Sequence, residues 1–168
     1  SMGVSYCSRV CCMYAIKQAM LLSGALPLAD IAIYYMDIRA FGKGYEQFFQ
    51  NAMAMGIEFV KGKVATISEG GNGGVRLHYE FQEDGGGVTS AEHDLVVLSL
   101  GIVPDWNPQG CCSISCGSDG FIETVKPKIA PTLTKMEGVF VAGAAAGPKD
   151  IVDSIVEAGA AAMEASKY

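Results

Sequence analysis

Between residues 11 and 60 the sequence alternates twice between a helical pattern and a strand pattern. The helical segments lack Pro and Gly, and the strand segments are short, β-prone apolar runs. In chain order, the four segments are residues 11–22, 31–36, 45–55 and 57–60. Gly24 and Pro27 should end the first helix. Helices and strands that alternate with short connections predict a doubly wound α/β fold with a parallel sheet.

The next part of the chain is β-prone and rich in glycine turns. Its three strand-like segments are residues 64–67, 75–81 and 93–100. Strict alternation in the second of these predicts an antiparallel meander with one face in solvent. Residues 94–104 are mostly apolar after Asp94, so we expect a buried strand that ends at Gly101.

Composition and charge exclude two classes of function. The chain has 12 Lys and Arg against 18 Asp and Glu, a net charge of −6, which argues against a nucleic-acid partner. No apolar run approaches the roughly 20 residues that span a bilayer, so we expect a chain that does not itself cross a membrane. With no secretory signal pattern, a cytoplasmic location is expected. Ser1 ahead of Met2 is not a natural start, and we expect the protein to begin earlier.

Three cysteines crowd the head of the first predicted helix. On a helix, Cys7 and Cys11 would share one face and Cys12 would lie about a quarter-turn away. The helix dipole there favours the thiolate, which is the form that binds metal. Spacing alone leaves two readings open, because three thiols are one short of a cluster's four ligands and free cysteines are commonly buried and inert.

A second cysteine group lies in a glycine-containing loop. It comprises Cys111, Cys112 and Cys116, and its spacing mirrors that of the first group. We interpret it as variable or oxidation-prone loop chemistry rather than as cluster ligands, and the sequence assigns it no role.

The C-terminal part has a strand, a glycine-rich turn and a helix in succession. The strand is expected at residues 138–143, and the helix begins near Ile151. A helix N-terminus behind such a turn can seat an anionic or electron-rich group, because its free N–H groups point outward. An ordinary βα unit has the same pattern. Asp150 or Asp153 can serve as the N-cap.

Three motifs taken together resemble the A-subunit family of heterodisulfide reductases. They are C-S-R-V-C-C-M-Y-A from Cys7, D-I-R…F-G-K-G-Y from Asp37, and V-F-V-A-G-A…G-P-K-D-I from Val139. The resemblance covers nearly all 168 residues but only part of the family's polypeptide, so it implies a fragment. The family consists of electron-transfer subunits with FAD, iron–sulfur clusters and a thioredoxin-reductase-like core, including relatives in quinone-interacting membrane complexes.

The fold implied by this resemblance is a Rossmann-like FAD/NAD(P)-binding parallel sheet with an antiparallel meander. Residues 1–103 would be a second dinucleotide-binding-like domain without its first strand, and residues 104–168 the C-terminal return segment of the FAD-binding domain. The N-terminal FAD-binding half of the core would be missing. The sequence has no G-x-G-x-x-G turn for the FAD pyrophosphate. We therefore expect a fragment that keeps the α/β fold, lacks FAD or an intact cluster, and is inactive alone.

Metal ligands follow from the resemblance by position. Cys7, Cys11 and Cys12 match three of the four family cysteines that hold a [4Fe–4S] cluster beside the flavin, and the fourth would lie upstream. Lys17 matches a family lysine that we expect near the flavin ring, where a cation would stabilise the reduced, anionic form. A solvated helix face is the alternative for Lys17.

The glycine-rich turn before the last helix matches the family segment that closes over the flavin. Its implied cofactor-binding residues are Gly143, Ala144, Gly147, Pro148, Lys149 and Asp150. Conventional reductases carry Asp where Ala144 stands, so this contact would fall to backbone groups. No residue of the chain is expected to act as an acid, base or nucleophile.

The function implied is electron transfer between FAD and [4Fe–4S] clusters, with flavin-based bifurcation as an extension. The implied partners are other subunits of a heterodisulfide-reductase-like or quinone-interacting complex, and a homodimer is also compatible. Two alternatives stay open. One is a docking or scaffold module that has lost its cofactors, with cysteines that bind zinc or nothing. The other is a fragment of an NAD(P)H-dependent disulfide reductase, although the sequence has no C-x-x-C pair.

Overall fold

The computed structural model describes residues 3–81, 86–108, 110 and 113–167. The chain divides into two compact units. We call Cys11–Leu100 the central unit, and Ser1–Val10 together with Gly101–Tyr168 the terminal unit. The assignment of these parts to dinucleotide-binding and FAD-binding domains stays a prediction.

In the part of the central unit that the structure describes, two α-helices and a short 3₁₀ turn (Gly71–Gly73) accompany a four-stranded sheet. Its elements are α1 (Cys11–Ala25), β1 (Ala32–Tyr35), α2 (Tyr45–Ala54), β2 (Glu58–Glu69), β3 (Val75–Phe81) and β4 (Gly87–His93). The strand order is β1-β2-β3-β4; β1 and β2 run parallel, and the other neighbours are antiparallel. This mixed sheet with helices confirms the α/β class, while the Rossmann-like and FAD-binding details stay predictions.

The helices of the central unit pack their apolar faces over the start of β2. Ile16 and Ala19 of α1, Ala52 of α2 and Ile57 form the buried cluster. α1 extends one residue past Gly24 and ends at Ala25, two residues before Pro27, because a single glycine weakens a helix without necessarily ending it.

β2 is one long strand where the sequence indicated two short ones. Its first part pairs with β1 up to Lys61, and from Gly62 onward it pairs with β3. Gly62 permits this change of partner, because a Cβ there would lie 2.5 Å from the carbonyl oxygen of Glu80.

The predicted buried strand at residues 94–104 is wrong, as is the meander strand at 93–100. The third meander strand is β4, and residues 95–100 form no strand. Leu95 is 76% exposed, and Val97, Leu98 and Leu100 are also exposed. An uninterrupted apolar strand is buried only with neighbours on both sides. Within the described residues, the sheet ends at β1 and β4 and offers this run no such position.

Among its described residues, the terminal unit contains a two-stranded sheet and a long C-terminal helix. Its elements are β5 (Thr124–Lys126), β6 (Ala130–Thr134), a 3₁₀ turn (Gly143–Ala146) and α3 (Ile151–Ala165). The strand expected at residues 138–143 is reduced to one bridge between Leu133 and Phe140. β6 is short and meets this stretch at its end, so a longer ladder does not form.

Residues 3–10 belong to the terminal unit through specific hydrogen bonds. The hydroxyl of Tyr6 donates to the carbonyl of Ile102 at 3.0 Å, and the N–H of Ile102 donates to Ser8 Oγ at 3.2 Å. Ser8 is buried. These contacts fix the segment that carries Cys7 against the chain near Gly101.

α3 turns its acidic side inward and leaves apolar side chains exposed. Its half-buried positions include Asp153 and Glu157. The exposed apolar side chains are Ile151, Val152, Ile155, Val156 and Met163. In the described ranges, none of the helices combines the length and hydropathy needed to cross a bilayer.

Candidate functional site

The first cysteine group does not lie on a single helix. α1 begins at Cys11, so the predicted helical face shared by Cys7 and Cys11 is wrong. Arg9 has a φ of 62°, a left-handed conformation that a right-handed helix cannot include. Cys7 therefore belongs to the terminal unit, whereas Cys11 and Cys12 form the first turn of α1 in the central unit.

The thiols are chemically suited to metal binding. Cys7, Cys11 and Cys12 are not in disulfides; Cys7 is exposed and the other two are half-buried. Cys7 Sγ accepts the N–H of Arg9 at 3.3 Å, and the Cys12 thiol donates to the carbonyl of Asp37 at 3.7 Å. An N–H donor next to a thiolate is one of the features that tune iron–sulfur clusters.

The geometry of these residues is less complete than their chemistry. Within the described ranges, no group of three His, Cys, Asp or Glu side chains could hold a metal ion. The donor set therefore fits a cluster in kind, but it does not form a closed metal site by itself. Cys116 is a reduced, half-buried thiol, and Cys111 and Cys112 lie outside the described residues.

An ion pair joins the Cys7 segment to the start of α3. Arg9 Nη2 lies 2.5 Å from Asp153 Oδ2, and both side chains are partly exposed. Asp153 is in the first turn of α3. Sequence reasoning missed this function of Arg9, although a cation between two cysteines of a motif is a visible signal.

Residues 143–150, which we call the glycine turn, precede α3 directly. Gly143 and Gly147 have φ values of 67° and 148°, in the region that favours glycine. A Cβ on Gly147 would meet nothing within 4 Å, and Ala144 is exposed. This open backbone face fits the edge of a ring or chain that contacts peptide groups.

Asp150 caps α3 and so fixes the end of the glycine turn. Its Oδ1 accepts the N–H of Asp153 at 2.8 Å, and its carbonyl accepts the Ser154 hydroxyl at 2.7 Å. Asp150, rather than Asp153, is therefore the N-cap. Its side chain serves the helix, and Pro148 is half-buried two residues before it.

Lys149 is held inside the terminal unit by a residue that sequence reasoning missed. Its Nζ lies 2.6 Å from Glu157 Oε1 and 2.5 Å from Oε2, and the two side chains are 7% and 17% exposed. Glu157 Oε2 also accepts the N–H of Gly143 at 3.0 Å. An acidic residue two turns into α3 was the available signal, but its partners depend on tertiary contacts.

Lys17 and the histidines lie in the central unit. Lys17 is exposed on α1, and its predicted contact with flavin stays a prediction. His78 and His93 are on strands, and His93 Nε2 lies 2.9 Å from the Tyr34 hydroxyl. Burial raises the pKa of Tyr34, with smaller contributions from Tyr79 and Glu58. This cluster links β1 to the meander.

A shallow groove of about 490 Å³ lies beside residues 3–6 in the terminal unit. Its other described lining residues include Pro104, Asp119 and Gly120. Its one charged lining side chain among the described residues is an acid. That charge disfavours a phosphate in the groove.

Comparison with characterised sequences first identifies a class, since the relatives are subunits of oxidoreductases. The A-subunit of the H(2):CoB-CoM heterodisulfide,ferredoxin reductase of Methanothermobacter thermautotrophicus is 41% identical over 98% of this chain and 25% of its own length. The second iron-sulfur A-subunit of the CoB–CoM heterodisulfide reductase of Methanopyrus kandleri is 44% identical over 96% of this chain and 25% of its own.

A third relative has a different electron donor in its name. The A-subunit of the ferredoxin/F(420)H(2)-dependent CoB-CoM heterodisulfide reductase of Methanosarcina acetivorans is 38% identical over 98% of this chain and 21% of its own length. No protein-family model matches the chain. These relatives confirm the resemblance to heterodisulfide reductase A-subunits that the motifs predicted, and the chain spans about a quarter of the length of these curated relatives.

Proposed function

We propose that this chain contributes part of the electron path between FAD and a [4Fe–4S] cluster in a heterodisulfide-reductase-type subunit. The observation that supports this most is the composition of the terminal unit. It contains both Cys7 and the glycine turn, and the Arg9–Asp153 ion pair joins the Cys7 segment to the helix that follows the turn. Two segments predicted to contact different redox groups therefore meet at one helix end.

In this proposal Cys7, Cys11 and Cys12 supply three of the cluster's four thiolates. When bound, such a cluster supplies single-electron transfer. The N–H of Arg9 donates to Cys7 Sγ and would stabilise the added negative charge of reduction. The iron–sulfur wording in the name of the Methanopyrus relative supports this assignment.

The flavin would lie against the open backbone of Gly143, Ala144 and Gly147. When bound, flavin supplies the exchange between two-electron and one-electron steps. Lys17 would add a cation that favours the reduced form, and the division of the electron pair between two acceptors is the extended form of the proposal.

The partners would be the other subunits of a heterodisulfide-reductase-like complex. The relatives are named as single subunits of such reductases, and the net charge of −6 suits docking to protein rather than nucleic acid. A quinone-interacting complex, a homodimer and a cytoplasmic location stay predictions.

The test is cofactor analysis of the full-length subunit, prepared without oxygen. Iron, sulfide and flavin are measured in the wild type and in Cys7→Ala, Cys11→Ala and Cys12→Ala variants. Each variant should lose about four iron atoms per subunit, because one missing thiolate destabilises the whole cluster. Cys116→Ala is the matched control and should retain them. Unchanged iron in all three variants would contradict the proposal.

A docking module without cofactors is the second candidate function. Apolar side chains exposed along α3 favour it, since such stripes normally lie against another surface. Zinc or no metal, together with no flavin, in the same wild-type preparation would support this candidate over the first.

A further inference from the structure

We propose that Glu157 is a positioning residue that sets the conformation of the glycine turn, and with it the backbone surface offered to the flavin. We call the contacts of Glu157 with Gly143 and Lys149 the clamp. The effect of the clamp on flavin binding rests on the proposed function, whereas the clamp itself is a property of this chain. Glu157 is on α3, outside every motif that identified the family.

One carboxylate holds the turn at both ends. Glu157 Oε2 accepts the N–H of Gly143 at 3.0 Å, and the same atom lies 2.5 Å from Nζ of Lys149. Glu157 Oε1 accepts a second hydrogen bond from Lys149 at 2.6 Å. The first residue of the turn and a residue near its end are therefore fixed to one point on α3.

Burial makes the loss of one partner of this clamp more costly than in an exposed ion pair, because the other charge is left buried and unpaired. The Lys149 and Glu157 side chains are 7% and 17% exposed, so water replaces neither partner easily. The helix end is fixed separately, because Asp150 accepts the N–H of Asp153. The turn is thus held from two directions before any ligand arrives.

The clamp also changes the role of Lys149. Both carboxylate oxygens of Glu157 engage its ammonium group, which would otherwise be a natural partner for an anionic ligand. Lys149 then affects a flavin through the shape of the turn, and the ligand contacts come from the backbone of Gly143 and Gly147.

Two variants separate positioning from direct contact. Lys149→Met alone leaves the Glu157 carboxylate buried without its cation, which is a severe change. The double variant Lys149→Met/Glu157→Gln removes both charges and keeps a carbonyl oxygen for the Gly143 N–H, and neutral replacement of a buried pair is commonly tolerated. Direct contact by Lys149 predicts the same loss of flavin in both; positioning predicts recovery in the double variant.

The clamp is measured first in the 168-residue chain by amide hydrogen exchange. Glu157→Gln should speed exchange at Gly143 at least about 100-fold by stranding a buried ammonium, and the double variant should restore protection to within about tenfold. Glu164→Gln is the matched control on the same helix. Its pair with Lys167 has side chains 36% and 60% exposed, so the change there should stay within about twofold. If Glu157→Gln matches this control, the clamp is refuted.

The consequence is measured in the full-length subunit by flavin content and the visible circular dichroism of bound flavin. Lys149→Met should lower flavin affinity at least about tenfold, and the double variant should recover the wild-type affinity and spectrum within about twofold. If the double variant regains its exchange protection but still binds flavin weakly, the positioning role of Glu157 is overturned. A wild-type subunit without flavin overturns the proposed function, while the exchange result still decides the clamp.

Discussion

Removal of the Ser8 hydroxyl should loosen residues 3–10 more than removal of the Arg9–Asp153 ion pair. Ser8 is buried, and its Oγ accepts the N–H of Ile102 at 3.2 Å. Ser8→Ala leaves that half-buried N–H without its acceptor, at a cost of about 1–2 kcal/mol. Asp153→Asn breaks a pair whose side chains are 40% and 39% exposed, worth about 0.2–1 kcal/mol after screening by solvent.

The assay is amide exchange of residues 3–10 in the chain, with Ser166→Ala as the matched control. Ser166 Oγ donates to the carbonyl of Met163 at an exposed site, so its loss should leave residues 3–10 unchanged. We expect exchange to rise about 5- to 30-fold in Ser8→Ala and less than about fivefold in Asp153→Asn. High salt should reproduce only the smaller effect. An equal or larger effect of Asp153→Asn would refute this ranking.

Two further predictions concern the meander. Gly62→Ala should destabilise the central unit in a urea titration, because its Cβ would lie 2.5 Å from the rigid Glu80 carbonyl. Gly24→Ala is the control and should be neutral or stabilising, because a Cβ there meets nothing within 4 Å. Equal effects of the two variants would contradict the partner change at Gly62. The hydrogen bond and charge of Arg76 lower the pKa of Glu92 in the folded protein. The Arg76–Glu92 pair therefore stabilises the fold at pH values above the ordinary carboxyl pKa, and this contribution is lost as the pH falls through the lowered pKa of Glu92. An NMR titration should show this midpoint rise in Arg76→Gln, and an unchanged midpoint would rule out the pair as the cause.

Local patterns predicted the elements whose burial is decided by near neighbours. The helical spacing of residues 45–55 and the apolar run at 31–36 became α2 and β1 almost without change. The alternating segment 75–81 became β3. In each case the residues that bury the element lie within the same unit, so hydrophobic periodicity and composition were sufficient to predict the element.

The apolar run at residues 95–100 shows where that reasoning fails. Its composition is that of a central strand, but a strand requires backbone partners, and composition cannot supply them. Among the described residues no strand is placed to pair with it, and its leucines are exposed. The composition of this run thus predicted a buried strand, whereas the absence of a pairing strand among the described residues left it as an exposed segment without strand structure.

The candidate site was predictable in its parts and not in its connections. The motifs indicated Cys7, the glycine turn and the helix cap, all of which are local features. Arg9 meets Asp153 across 144 positions of sequence, and no pattern of spacing reports such a contact. The left-handed conformation of Arg9, which removes Cys7 from α1, is likewise set by tertiary contacts rather than by propensity.

The carboxylates of α3 pair with two of the cations that could otherwise stabilise a reduced flavin. Asp153 and Glu157 are one turn apart, a like-charged spacing that destabilises a helix unless each charge is offset. Arg9 offsets the first and Lys149 the second, so both cations are committed to holding the protein together. Lys17 differs: it is exposed on α1, and no ion pair to it is found within the described residues. If reduced flavin here needs a positive charge, Lys17 is therefore the predicted residue that can provide one without releasing a structural contact.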